Sequence, residues 1–181
     1  MINLGEVPTD DLCREIRKRG IAMGEMSFEQ FIMTISITPV ACVELCIRNT
    51  DNEILLIWRD DADFHANHFP GSLVHMFENL TATCRRIALK ETGVAIRNIF
   101  FAGVHNYNDP KSDIRHCDDG QEVANHFIGL VFVADIEPSE TPKNGKFFKQ
   151  VPADILVSHR EVWKISSDFL VKGKSQVINQ E

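Results

Sequence analysis

Residues 71–94 read GSLVHMFENLTATCRRIALKETGV, and the rest of the chain is best read outward from them. Asn79 is a residue type that caps helices, because its side chain accepts from main-chain N–H groups of the first turn. Gly93 suits the left-handed residue that ends one. The spacing predicts a helix from Asn79 to Thr92. Glu78 stands just before it and Arg86 upon it. Near its end Ile87, Lys90 and Glu91 occupy i, i+3 and i+4, positions that share a face of a regular helix. Three carboxylates on such a face would converge on divalent metal ions. Here one position is a carboxylate, one a cation and one an aliphatic side chain. A Leu/Ile/Ala helix ending in Glu-Thr-Gly also occurs without any such role, so this stretch alone leaves a structural reading open.

On the N-terminal side, VACVELCIRN (40–49) is apolar nearly throughout with one embedded acid, Glu44, and reads as a buried strand carrying an inward carboxylate. Asp51-Asn52 makes a turn, and EILLIWR (53–59) is the returning strand of a hairpin. Residues 60–76 read as a loop holding His65, His68 and His75. Further upstream, residues 9–19 and 27–35 read as short helices, the second capped by Ser27. On the C-terminal side, residues 94–107 and 125–136 read as strands. Residues 108–122 form a long polar loop, 138–148 another loop, and a last helix is expected from Ser166-Ser167-Asp168. This order predicts one mixed sheet with helices on its faces, preceded by an N-terminal helical extension over residues 1–26.

The whole chain has 181 residues, 44% hydrophobic and 25% charged, with a net charge of −7. These are values of one globular domain with core enough to need no disulfides. The acidic balance argues against a nucleic-acid partner, which would want a basic face. No apolar run is long enough for a membrane span, and MINLGEVPTDDL lacks the basic and apolar regions of a secretory signal. A cytoplasmic protein is expected. The five cysteines, Cys13, Cys42, Cys46, Cys84 and Cys117, are odd in number and form no C-x-x-C pair, so they read as reduced and mostly buried thiols. Cys117 lies beside His116, Asp118 and Asp119 in the polar loop, where an adventitious metal site is the alternative.

Registered on Gly93, residues 71–94 resemble the Nudix box, G-x5-E-x7-R-E-U-x-E-E-x-G-U, matching at Glu78, Arg86, Glu91, Gly93 and Val94. The first box glycine falls on Ser72, with Gly71 just before it. One group within that superfamily, the GDP-mannose mannosyl hydrolases, lacks the same two glutamates. The chain is similar to it at E-x-F and T-P-V-A-x-V-E between Glu29 and Glu44, LLIWR at 55–59, HFPGS at 68–72, NHFIGL at 125–130 and SHREVWKI at 158–165. The resemblance covers roughly residues 27–170 and rests on the order and spacing of weak motifs.

The resemblance implies an α/β (α+β) fold, a Nudix-type α/β/α sandwich with a mixed sheet, over residues 27–181. It implies hydrolysis of a nucleoside diphosphate sugar of the GDP-mannose or GDP-glucose type at the anomeric carbon, giving nucleoside diphosphate and free sugar. Magnesium, or manganese, would leave with the diphosphate, and a histidine would serve as general base for water. By position that base is His159. Arg59 would help neutralise the diphosphate, Glu44 would contact substrate, and Gly71, Glu91 and Ser158 would stand at the metal positions. His105, Tyr107 and Phe127 would line the substrate site, and Glu78 and Arg86 would pair structurally. Members of that group tend to be dimers, so a homodimer is implied as well. There are departures. Leu73 stands where the second diphosphate-clamping arginine belongs, Ser158 replaces a glutamine ligand, Phe127 replaces a tyrosine, and Tyr107 stands for a histidine, with His105 near it. Lys90, His75 or the long loop are alternative sources of charge. A weakened Nudix domain that only binds a nucleotide or nucleotide sugar is the second reading. An ordinary diphosphate-cleaving Nudix hydrolase ranks last.

Overall fold

Strand β1 (Val40–Arg48) is the spine of the computed structural model, which describes residues 28–61, 64–75, 77–107, 114–116, 122–124 and 126–172. Its side chains alternate between two cores, as the two-residue period of a strand requires. Val43, Leu45 and Ile47 face a helix α2 (Leu80–Ile87), and Cys42, Glu44 and Cys46 face the opposite layer, under helix α3 (His159–Lys172). Helix α1 (Phe28–Ile37) precedes β1. The result is the expected α/β/α sandwich of Nudix type.

The sheet is mixed. Strands β2 (Ile54–Asp60), β3 (His65–His68), β5 (Ile96–Tyr107) and β8 (Phe127–Ile136) complete the order β3-β2-β1-β8-β5, with β1 and β8 parallel and the other neighbours antiparallel. The hairpin turn forms where expected. Asn49 accepts from the amides of Asp51 and Glu53, and Asn52 takes the left-handed conformation at φ 60°. Beyond it β1 and β2 splay, meeting only at Arg48↔Ile54. The freed edge of β1 is taken by β4 (Gly71–Leu73), which pairs Gly71 with Glu44. The splay is what gives Glu44 and Gly71 a common position.

Several expectations need correction. Residues 60–76 are not a plain loop but contain β3 and β4, short strands that exist by pairing with splayed edges rather than by their own pattern. The loop 138–148 contains β9 (Lys146–Phe148) on β2. The last helix begins at His159, and Ser166 is buried in its middle, because the buried stripe already starts with His159 and Val162. Within 108–122 the backbone pairs β6 (Ile114–His116) with β7 (Glu122–Ala124). The helix expected at 9–19, the 1–26 extension, Cys13 and Cys117 lie outside the described residues. Cys42, Cys46 and Cys84 are buried free thiols, and burial pushes Cys46 and Cys84 up to about 12, which keeps both unreactive. Among the described residues no helix is long and apolar enough to cross a membrane.

Candidate functional site

The Asn79–Thr92 helix is present, with a twist in its last turn. Asn79 caps α2 through Oδ1, which accepts from the Ala82 amide at 2.8 Å. From Ala88 to Thr92 the helix widens into a π-turn, and Gly93 ends it at φ 74°. A π-turn adds a residue to the turn and breaks the i, i+3, i+4 phase. Ile87 therefore does not share a face with Lys90 and Glu91; it is fully buried in the core against β1, while Lys90 is exposed. The expected common face is corrected to Glu91 alone.

Glu91 reaches across to β4. Its Oε2 accepts from the Gly71 amide at 3.0 Å. Burial raises its pKa to about 7, against the Gly71 hydrogen bond and the charges of Lys90, Arg86 and Arg59. Asn144 donates to the Glu91 carbonyl at 3.2 Å, and the Lys143 amide to that of Thr92 at 2.9 Å, so the segment before β9 closes the π-turn. Among the described residues no three His, Cys, Asp or Glu side chains group to hold a metal ion. Glu91 and the Gly71 main chain are the groups that could serve as the protein side of a single magnesium, an ion that often takes one or two protein ligands. Ser158 sits half-buried in the turn that enters α3.

Arg86 and Glu78 form the structural pair that was expected. Arg86 Nε and Nη2 donate to the two Glu78 oxygens at 2.9 and 2.8 Å, and Nη2 also to the Leu73 carbonyl at 2.9 Å. The guanidinium thus ties α2 to β4. The Arg86 hydrogen bond, with that of Thr83, holds Glu78 down at about 2. A depressed carboxylate stabilises the fold above its unfolded pKa near 4.5, and that stability is lost as pH falls toward 2. Arg86→Leu is expected to lower stability by about 2–4 kcal/mol at pH 7, because it strands a half-buried carboxylate. The deficit should shrink toward pH 3 in urea titrations, and a deficit constant with pH would contradict the pairing.

The opposite wall is built under α3. Glu44 is 7% exposed, and its Oε2 lies 3.9 Å from His159 Nε2. His159 is buried, and its Nδ1 accepts from the Phe69 amide at 3.0 Å. Burial, then the charges of His68, His105 and Arg59, hold its pKa well below 6.5. Rings of Phe69, His68 and Tyr107 surround it at centroid distances of 5.8, 5.9 and 6.0 Å. Tyr107 is buried and meets His105 edge-on at 4.2 Å. Burial lowers the His105 pKa, against the charge of Glu161. Phe127 pairs with Tyr107 at the head of β8 and packs against the same core. Arg59, at the end of β2, donates to Asp61 and lies 4.6 Å from the Phe64 ring. Its charge bears on Glu91, His68 and His159 alike.

The structure thus brings Glu44 beside His159 and Gly71, Tyr107 beside His159 and His105, and Glu91 to the Gly71 amide, with the charge of Arg59 bearing on both Glu91 and His159. The expected base role of His159 meets an obstacle. A nitrogen accepting an N–H has its lone pair engaged, so the neutral ring carries its proton on Nε2 and presents a donor. Sequence reasoning assigned no role to His68, Phe69, Asp61 or Glu161. His68 and Phe69 had a signal, lying directly before Pro70-Gly71. Burial, then Arg59, lowers the His68 pKa to about 4.

The family model for the NUDIX domain matches residues 38–173. Among solved structures the chain is similar to a NUDIX hydrolase from Nitrosomonas europaea, at 16% identity and TM-score 0.51, covering 80% of this chain and 97% of that one. It is similar to a MutT NUDIX hydrolase from Burkholderia pseudomallei, at 19% identity and TM-score 0.56, covering 70% and 97%. It also resembles the NUDIX domain of Shewanella oneidensis NrtR in complex with ADP ribose, at 13% identity and TM-score 0.51, covering 79% and 98%. No curated protein matches the chain. The chain belongs to the Nudix family.

Proposed function

We propose that this Nudix protein is a magnesium- or manganese-dependent hydrolase of nucleoside diphosphate sugars, of the GDP-mannose or GDP-glucose type, cleaving at the anomeric carbon. The observation that carries this reading is the reduced box: Glu91 held against Gly71, with Ile87 in the core and Lys90 in solvent. Cleavage within the diphosphate wants several carboxylates on metal ions. Release of a whole nucleoside diphosphate asks only that the leaving group be neutralised. A bound magnesium would supply that neutralisation beside Glu91. Arg59 would add a guanidinium fork to the phosphate oxygens, exchanging its contact with Asp61 for them. The wall of Tyr107, His105 and Phe127 would seat the sugar. That the Shewanella domain holds ADP ribose supports a nucleotide-derived ligand for the fold. The second reading, a binding module without turnover, is favoured by the losses at Leu73, Phe127 and Ser158.

A panel of nucleoside diphosphate sugars with magnesium or manganese tests the assignment. Free sugar of inverted anomeric configuration is the expected product. Sugar phosphate would instead indicate diphosphate cleavage, and thermal stabilisation without any product would indicate the binding module.

A further inference from the structure

We propose that Glu44 takes the proton from the attacking water and that His159 is the positioning residue that holds this carboxylate. The proposal rests on the hydrolase reading above. Its first support is the hydrogen bond of His159. Nδ1 accepts from the Phe69 amide at 3.0 Å, so Nε2 carries the hydrogen and aims it at the Glu44 side, 3.9 Å from Oε2. To act as a base through Nε2, the ring would have to move its hydrogen to Nδ1, where it would confront the amide hydrogen of Phe69. Rings of Phe69, His68 and Tyr107 pack around the buried imidazole in this orientation. A separation of 3.9 Å is longer than a formed hydrogen bond, and such contacts tighten when substrate is bound.

The second support is the close packing that fixes Glu44 in place. Each strand flanking β1 puts a glycine beside this side chain. A Cβ on Gly71 of β4 would lie 2.8 Å from Glu44 Oε2, and one on Gly129 of β8 would lie 3.4 Å from Glu44 Cγ and 2.8 Å from the Tyr107 ring. A side chain at either position would collide with Glu44 or Tyr107, so the two glycines are what let the carboxylate and the tyrosine ring pack into the sheet beside His159. Gly71 also gives its amide to Glu91. Glu44, the proposed base, and Glu91, the proposed support of the leaving group, therefore both adjoin one residue. In the step itself, an O–H bond of water gives its proton to Glu44. The water oxygen bonds to the anomeric carbon, the bond from that carbon to the phosphate oxygen breaks, and its electron pair leaves with the nucleoside diphosphate. Glu44 then releases the proton to solvent.

The experiment compares Glu44→Gln, Glu44→Ala and His159→Asn with the wild type, on the sugar nucleotide that the wild type turns over, with and without azide. The asparagine oxygen keeps an acceptor for the Phe69 amide. Glu44→Gln is expected to lose at least about a thousandfold in kcat with KM little changed, within the range of a lost general base. His159→Asn is expected to lose about ten- to a hundredfold, the usual cost of an orienting partner. Azide needs no base, so Glu44→Ala should form the glycosyl azide, and His159→Asn should not. Glu44→Gln, equal in size to the native residue, carries the azide test if the alanine variant does not fold. Azide product from His159→Asn, or near-normal turnover by Glu44→Gln, overturns the assignment while leaving the hydrolase intact. A wild type that frees no sugar from any substrate overturns both.

Discussion

Glu91→Gln is expected to lower kcat/KM on the sugar nucleotide by at least about a hundredfold, the scale of a lost electrostatic partner to the leaving group, and to stabilise the fold above pH 7. The two effects have one cause. Burial lifts the Glu91 pKa from 4.5 to about 7. A carboxyl group raised in the folded state contributes stability that is complete below its unfolded pKa and lost as pH rises through the folded one. At pH 8 the wild type therefore keeps a charge in a place that resists it, whereas at pH 4 it does not. Glutamine keeps the acceptor for the Gly71 amide and removes the charge. The gain at pH 8 should be about 1–3 kcal/mol, at about 1.4 kcal/mol per pKa unit, and near zero at pH 4. Urea titrations at the two pH values, beside steady-state kinetics at saturating magnesium, measure both. A residue kept only for structure would show the reverse pattern, activity retained and stability lost. Chelation of the metal should reproduce the loss of activity in the wild type and add nothing in the variant.

Much of the fold was legible because its strong elements carry their own pattern. Asn79 and Gly93 bracket the box helix by cap chemistry alone. The nearly continuous apolar run of β1 implies that its embedded acid, Glu44, is inward, and it is buried. β3, β4 and β9 were not legible, being three or four residues long and defined by the strand edges they pair with. The site shows the same division. Glu91, Gly71, Arg86 and Glu78 are singled out by the resemblance of one stretch to the Nudix box. The π-turn is not, because its carbonyls at Glu91 and Thr92 are met by Asn144 and Lys143, which lie far along the chain. The tautomer of His159 is further still from the sequence. It is set by the Phe69 amide, ninety positions away in the chain. A motif can locate a histidine at a site, but the partner of its second nitrogen decides whether it offers a lone pair or a hydrogen.

Gly71→Ala should be the most damaging single methyl group in the site. The added carbon would lie 2.8 Å from Glu44 Oε2 and 2.9 Å from the Val43 carbonyl oxygen. Glu44 has little room to yield, since its stem lies beside Gly129 and its carboxylate faces the buried ring of His159. The Val43 oxygen is main chain of the central strand and yields less. β4 must therefore move, and it is only three residues long, held by β1 on one edge and by Glu91 on the other. Overpacking of this kind costs about 1–3 kcal/mol, a fall in Tm of roughly 2–4 °C for each kcal/mol in a chain of this size. The catalytic loss should be larger than the stability loss implies, because one displacement moves Glu44 and Glu91 apart together, and a misplacement near 1 Å can cost about a hundredfold. Gly103→Ala is the matched control. Its Cβ would meet only the tip of a side chain, Ile165 Cγ2 at 3.1 Å, away from both carboxylates. The two variants should thus differ far more in kcat/KM than in Tm. Equal activity in the two would mean that the contact of Glu44 with Gly71 plays no part in catalysis.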